Sequence, residues 1–322
     1  MTEYHVLNLG AGVQSTALHL LTRDPDPPVR FDLAVFADTG EEPAAVYAHL
    51  EYLRSLGTPE IWVRSAGRLG DDLVHGRNST GQRFVSIPAF TKDGNGRVGM
   101  VRRQCRAEYK IAVVNRTLRR ELLGLKPRQR IPAGVVLHQY FGISTDEAGR
   151  AERAKKRFEG VRHTVPHWPL IEMCWSRRDC EAYLTDKLPH ETPKSSCVFC
   201  PYKTNQNWRL LKQTDPDGWA RAVEVDAALR DEASVCRRGF RYELFVHRSC
   251  VPLGVVDFDG LAPNTLDPMT TGECHGMCGN GLPATDPFVT IELGTMQQGV
   301  EFFHRLRHGW LARQREQCTL PG

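Results

Sequence analysis

The chain has 322 residues, of which 41% are hydrophobic and 25% charged, with a formal net charge of +4. These are ordinary globular proportions, and the length suits one large α/β domain or one domain with a substantial appendage. No apolar run approaches the roughly 18 residues a membrane-spanning helix needs, and the start shows no basic-then-apolar leader, so a cytoplasmic protein without membrane attachment is expected.

Strand-like and helix-like segments alternate through the first half. Tyr4–Leu9 and Phe31–Phe36 are short apolar runs suited to buried parallel strands. After the first, Ser15 or Thr16 is placed to cap a short helix through Leu21. After the second, Pro43 sits at a helix start, Ala44–Leu56 keeps helical spacing and Gly57 ends it. Glu60–Val63 reads as a third strand. Arg68–Met100 is irregular and rich in Gly, Asn and Ser, which predicts a long active-site loop with some extended pieces.

Glu108–Leu123 then reads as a basic amphipathic helix stopped by Gly124, and Gly134–Ile143 as another apolar strand. Ser176 and Asp179 form a capping box that opens a helix through Leu184. From about Thr192 the pattern changes to helical Trp208–Lys212 and Trp219–Arg230, strand-like Tyr242–His247, a Gly- and Cys-rich Gly272–Gly281 and a helical Gln298–Arg313. The βαβα alternation predicts an α/β fold with a doubly wound parallel sheet and ligands at the strands' carboxyl ends. The expected division is a nucleotide-binding domain over residues 1–190 and a cysteine-rich, partly helical appendage over 191–322.

Charge is unevenly spread. Arg97, Arg102, Arg103, Arg106, Lys110, Arg116, Arg119, Arg120, Lys126, Arg128 and Arg130 face only Glu108 and Glu121 in the same stretch. Such a run suits a polyanion, either nucleotide phosphates or a nucleic-acid backbone, and equally a solvated helix face.

The turn after the first strand is Gly10-Ala11-Gly12-Val13-Gln14-Ser15-Thr16. A glycine-rich turn between strand and helix lets backbone N–H groups converge on phosphate, and Ser15 and Thr16 add hydroxyls at its mouth. It is neither a Walker loop, having no Gly-Lys-Ser/Thr, nor a dinucleotide Gly-x-Gly-x-x-Gly. A plain tight turn also accounts for a Gly-x-Gly after a strand.

Taken with three later motifs, this turn resembles the PP-loop of the adenine nucleotide α-hydrolase superfamily, whose usual form is Ser-Gly-Gly-x-Asp-Ser. This chain lacks the first serine and has Gln14 at the aspartate. Ala37-Asp38-Thr39-Gly40-Glu41 resembles the Asp-Thr-Gly stretch of the phosphoadenosine phosphosulfate reductase-like branch. Gly142-Ile143-Ser144-Thr145-Asp146-Glu147 with Arg150 is similar to that branch's Gly-x-Arg-x-Asp-Glu segment, and Trp168–Leu170 with Trp175–Leu184 to its following strand and helix. The resemblance implies a PP-loop, HUP-like fold that binds ATP or an adenylyl sulfate. It implies phosphates on Gly10, Ala11, Gly12, Gln14, Ser15 and Thr16, adenine near Asp38 and Thr39, and a border formed by Gly142 and Arg150. Asp38 also suits a turn or capping carboxylate, and Arg150 a solvated helix position.

Ten cysteines in a chain of this size argue against a disulfide scaffold and for metal ligands or reactive thiols. Cys197-Val198-Phe199-Cys200 places two thiols on one tight turn, as an iron–sulfur, zinc or redox pair does. Arg102-Arg103-Gln104-Cys105-Arg106 with Lys110 resembles the adenylyl sulfate reductase segment in which a cysteine pair joins a later Cys-x-x-Cys to hold a 4Fe–4S cluster. Here Arg106 stands at the second cysteine, and Cys274 or Cys278 is the candidate replacement ligand. The Glu273-Cys274-His275-Gly276 segment only faintly echoes the reductases' catalytic Glu-Cys-Gly-x-His.

Three functions compete. The first is ATP-dependent sulfur transfer, similar to that of DNA phosphorothioation sulfurtransferases and tRNA thiolation enzymes. It uses Mg²⁺, a 4Fe–4S cluster, the charges of Arg102, Arg103 and Lys110, the thiol of Cys274, a sulfur donor such as a cysteine desulfurase, and a DNA, tRNA or nucleotide acceptor. The second is a reductase of adenylyl sulfate or phosphoadenylyl sulfate. The third is a non-catalytic ATP-binding iron–sulfur module.

Overall fold

The computed structural model describes residues 1–75, 87–101, 103–231 and 241–260. Arg102, Cys274, Cys278, the Gly272–Gly281 segment and the Gln298–Arg313 helix lie outside the described residues.

The main sheet joins β1 (Thr2–Leu9), β2 (Leu33–Asp38), β3 (Glu60–Ser65), β6 (Val135–Phe141) and β7 (Thr164–His167) in the order β3-β2-β1-β6-β7. All four pairings are parallel. Strand order reverses between β1 and β6, and it is outside such a reversal that open α/β sheets receive their ligands.

Alternation along the strands explains why both faces are covered. Val6, Leu33, Val35 and Leu137 point to one side and pack with Val113, Val114 and Leu118. Leu7, Leu9, Ala34 and Phe36 point to the other and pack with Ala17, Leu18, Leu50, Leu53, Leu170 and Leu184. The first layer is α4 (Ala112–Thr117), flanked by π-type turns at Ala107–Ile111 and Leu118–Leu122. The second is made by α1 (Val13–Leu21), α2 (Ala44–Ser55) and α7 (Arg177–Thr185). Ser176 caps α7 as expected: its hydroxyl accepts from Asp179 N–H, and the Asp179 carboxylate accepts from Ser176 N–H at 2.8 Å. Between β6 and α7 run α5 (Ala148–Lys155) and the one-turn α6 (Pro169–Glu172). The Trp168–Leu170 segment expected as a strand is thus mainly the start of α6, with β7 just before it.

A second core lies beside the sheet. It unites Leu69, Leu73, Ile87, Ala89 and Tyr109 with Val198, Phe199, Trp208, Ala222, Val225 and Leu244, so residues from both sides of position 190 share it. Its frame is α3 (Leu69–Val74), α8 (Asn205–Thr214) and α9 (Pro216–Ala228), with an antiparallel three-stranded sheet. That sheet has the order β5-β4-β8, from β4 (Phe90–Lys92), β5 (Val98–Met100) and β8 (Leu244–Phe245). The expected loop over Arg68–Met100 therefore contributes a helix and two paired strands. Among the described residues no helix is long and apolar enough to cross a membrane.

Three histidines are packed into this fold. Burial, helped by Arg23, lowers the His19 pKa from 6.5 to about 4. Burial likewise brings His49 and His247 to about 4. The unfolded chain binds protons that the folded chain refuses, so stability is full above the ordinary histidine pKa and falls as pH drops toward the folded values. The urea midpoint should therefore fall between about pH 6.5 and about pH 4, and His19→Leu should make that fall shallower. A midpoint independent of pH across this range would contradict the assignment.

Candidate functional site

Two sites meet the carboxyl edge of the sheet. The first is the turn after β1. Gly12 caps α1 from an extended conformation, and Ala11, fully buried, takes a positive φ of 54°. A left-handed alanine is strained by about 1–2 kcal/mol, so the flanking backbone must hold it. The Ser15 hydroxyl accepts from Gly10 N–H at 3.1 Å and donates to the Gly12 carbonyl at 3.2 Å. Thr16 Oγ1 pairs with His49 Nε2 at 3.0 Å. Both hydroxyls expected at the mouth of the turn thus close the turn and tie α1 to α2. What remains for an anion is the first-turn backbone N–H set of α1, which has no partner within the helix.

Gly10 through Thr16 are all buried. Gln14 Nε2 reaches Ser144 Oγ at 3.4 Å and Glu147 Oε2 at 3.2 Å, while its Oε1 is buried without a partner. Arg150 pairs with Glu147 at 2.5 Å and is 4% exposed, so it is a buried ion-pair member and not a solvated helix position. Gly142 packs directly on the turn: a Cβ there would lie 2.7 Å from Ser15 N and 2.9 Å from Ser15 Cα. The motif glycine after β6 is explained by this backbone-to-backbone approach.

Asp38 ends β2, and its Oδ1 accepts from Gly40 N–H at 2.8 Å and the Tyr47 hydroxyl at 3.0 Å. Burial, then Asp38, push the Tyr47 pKa up. The turn needs glycine at position 40, whose φ is +71°. Thr39 is buried, with Oγ1 3.2 Å from Cys197 Sγ.

That contact opens the second site. Thr39, Arg103, Cys105, Arg106, Lys110, Cys197 and Cys200 line one cavity, closed by apolar Leu69, Ile87, Pro88, Phe199 and Pro201. Cysteines 92 and more positions apart in sequence are thereby brought together from the helix start at 105 and the Cys197–Cys200 turn. The turn is closed by Cys200 N–H donating to the Cys197 carbonyl at 2.9 Å. None of the three is in a disulfide. Arg103 lies 5.6 Å over the Tyr202 ring. Arg106, which occupies the place of a second cysteine in the resembling segment, is 7% exposed and lines the same cavity.

Lys110 is more committed than its sequence position suggests. It pairs with Glu42 at 3.1 Å with both side chains at most 3% exposed, and its ammonium lies 5.2 Å from the Phe36 ring centre. Ser195 Oγ donates to the other Glu42 oxygen at 3.2 Å. Glu41 is held by Arg221 of α9 at 3.0 Å and by Gly70 N–H at 3.0 Å. Sequence reasoning met Glu41 only as the end of the Asp38-Thr39-Gly40 motif and passed over Glu42 and Lys203. Lys203 is buried, donates to Ser196 Oγ at 2.8 Å, and has its pKa lowered by burial against the pull of Cys200, Glu42 and Cys197. Its available signal was its position three residues after Cys200 on the same tight turn.

Gly142→Ala should cost about 1–3 kcal/mol, because the new methyl meets backbone that cannot swing aside. Thermal unfolding checks this, and an unchanged midpoint would contradict the close approach. Glu42→Gln should cost about 3–5 kcal/mol by leaving Lys110 buried without its charge partner. The double variant Glu42→Gln/Lys110→Met should lose less than the sum of the single changes, and strict additivity would deny the pair. No protein-family model, curated protein or solved structure matches this chain, so what the site does rests on its own groups.

Proposed function

We propose that this protein is an ATP-dependent sulfur-transfer enzyme of the PP-loop type, acting on a nucleic acid or a nucleotide. The observation that carries the reading is the shared cavity of Cys105, Cys197 and Cys200 with Arg103, Arg106 and Lys110, joined through Thr39 to the carboxyl edge of the sheet that bears the glycine turn. Thiols alone are compatible with many metals. Thiols at the ligand edge of a doubly wound sheet, ringed by cations and beside an anion-directed helix start, favour adenylate chemistry joined to sulfur.

The donor set would suit a 4Fe–4S cluster: three cysteines outside disulfides, from two segments, line one cavity with nearby cations to offset thiolate charge. Cys105, Cys197 and Cys200 would hold three of its irons, and the fourth would either take Cys274 or Cys278 as ligand or, left open, supply a place for inorganic sulfur. In the reaction, an acceptor oxygen attacks the α-phosphorus of ATP and pyrophosphate leaves. Sulfide, released from the persulfide of a donor such as a cysteine desulfurase by a thiol reductant that is oxidised to its disulfide, then displaces AMP, which carries away the acceptor oxygen. The α1 N–H groups would orient the phosphates, and Asp38, which ends the neighbouring strand, would be the carboxylate at hand for the Mg²⁺ that offsets their charge. Arg103 neutralises charge developing on the transferred phosphoryl group. Lys110, held by Glu42, positions the wall of the cavity. The exposed arginines and lysines at 116, 120, 126, 128 and 130 suit an extended polyanionic acceptor.

Anaerobically prepared protein should contain iron and sulfide and release pyrophosphate from ATP in the presence of sulfide and acceptor. Cys197→Ala should lose the iron. Sulfite release from an adenylyl sulfate would instead indicate the reductase, and ATP binding without turnover the non-catalytic module. Zinc without iron would remove the cluster.

A further inference from the structure

We propose that Glu3, His5 and His138 form a separate binding site for a divalent first-row transition ion at the amino-terminal end of the sheet. Ligand atoms of the three residues lie within 4.8 Å of one another. The strands put them there. His5 of β1 and His138 of β6 are direct partners in the parallel register, and Glu3, two residues before His5, shares its face. The two imidazoles stack with centroids 4.7 Å apart and planes 6° apart, so one ring must turn about its Cβ–Cγ bond before both in-plane lone pairs meet at one ion.

The decisive feature is what holds the rings. His5 Nδ1 pairs with the Tyr140 hydroxyl at 2.7 Å, and His138 Nδ1 pairs with His167 Nε2 at 2.8 Å. Each histidine therefore keeps Nε2 for a ligand, with its Nδ1 already engaged. His138 Nε2 is 3.5 Å from Glu3 Oε2 and makes no hydrogen bond. Metal-binding histidines are held in this manner, with one nitrogen on the ion and the other on a partner that fixes the ring. The backbone is fixed as well: Asp32 accepts from His5 N–H at 2.7 Å and returns its own N–H to the His5 carbonyl at 2.8 Å.

Two imidazoles and one carboxylate suit zinc, nickel or copper and disfavour the hard ions calcium and magnesium. Three protein ligands leave one tetrahedral position for water or for a group from another molecule. His5 precedes Leu9 by four residues, about 13 Å of strand, so this ion sits at the other end of β1 from the glycine turn and is loaded independently of the cysteine cavity.

The test is zinc titration, followed by calorimetry, of full-length protein whose accessible thiols have been alkylated. One equivalent should bind and raise the melting temperature. His5→Asn and Glu3→Gln should each weaken that event at least about tenfold, and Tyr140→Phe, which touches no ion, should weaken it by about tenfold. Cys197→Ala should leave it unchanged. Glu3 is 47% exposed, so Glu3→Gln tests the carboxylate without burdening the fold. Absence of zinc uptake by the alkylated protein, or equal affinity in Glu3→Gln and the parent, would overturn the site.

Discussion

Two adjacent buried carboxylates organise everything around the cysteine cavity. Glu41 and Glu42 follow β2, and each is at most 4% exposed. Glu41 gathers Arg221 from α9, Arg68 at 3.2 Å and the backbone of Gly70, while its carbonyl accepts from Val198 N–H at 2.7 Å. Glu42 gathers Lys110 and Ser195. The cavity segments around Leu69, Lys110 and Cys197 are thereby tied to one short connection. Buried charges of this kind are costly unless fully partnered, and their value lies in fixing geometry more than in net stability. Here the geometry fixed is that of three thiols from distant parts of the chain.

Much of the sheet was legible in the residues. Leu33–Phe36 is a continuous apolar run and Val6–Leu9 is broken only by Asn8, because strands covered on both faces leave little polar alternation to confuse them. The Ser176/Asp179 box announced α7, since a capping side chain leaves a local signature. Cys105 and the Cys197/Cys200 pair were also picked out together. The second sheet was not foreseen: β4, β5 and β8 have three, three and two residues, too few to show a period. The use made of Glu41 and Glu42 escaped notice because an acidic pair at a helix entrance ordinarily faces water. Their role depends on Lys110 and Arg221, 68 and 180 residues away.

The turn after β1 shows how a motif and its use part company. Its glycines and hydroxyls were readable as a phosphate cradle, yet Ser15 and Thr16 spend their oxygens on Gly10, Gly12 and His49. Hydroxyls are small and adaptable, so sequence fixes their presence but tertiary packing selects their partner. The histidines tell the opposite story. His138 and His167 belong to no motif in the sequence, and they form a connected group only because parallel pairing sets His5 beside His138 and Tyr140 beside His167.

Gly142 lies against the main chain at Ser15, with no side chain between them. Strands β1 and β6 are therefore coupled at their tips by hard contact, without the cushioning that rotamers provide elsewhere. A guest that lifted the first turn by even a fraction of an ångström would have to push the β6 exit as well. Through Glu147 and Arg150 that thrust passes to α5. The crevice at the strand-order reversal thus behaves as a stiff hinge plate, whose two leaves move as one.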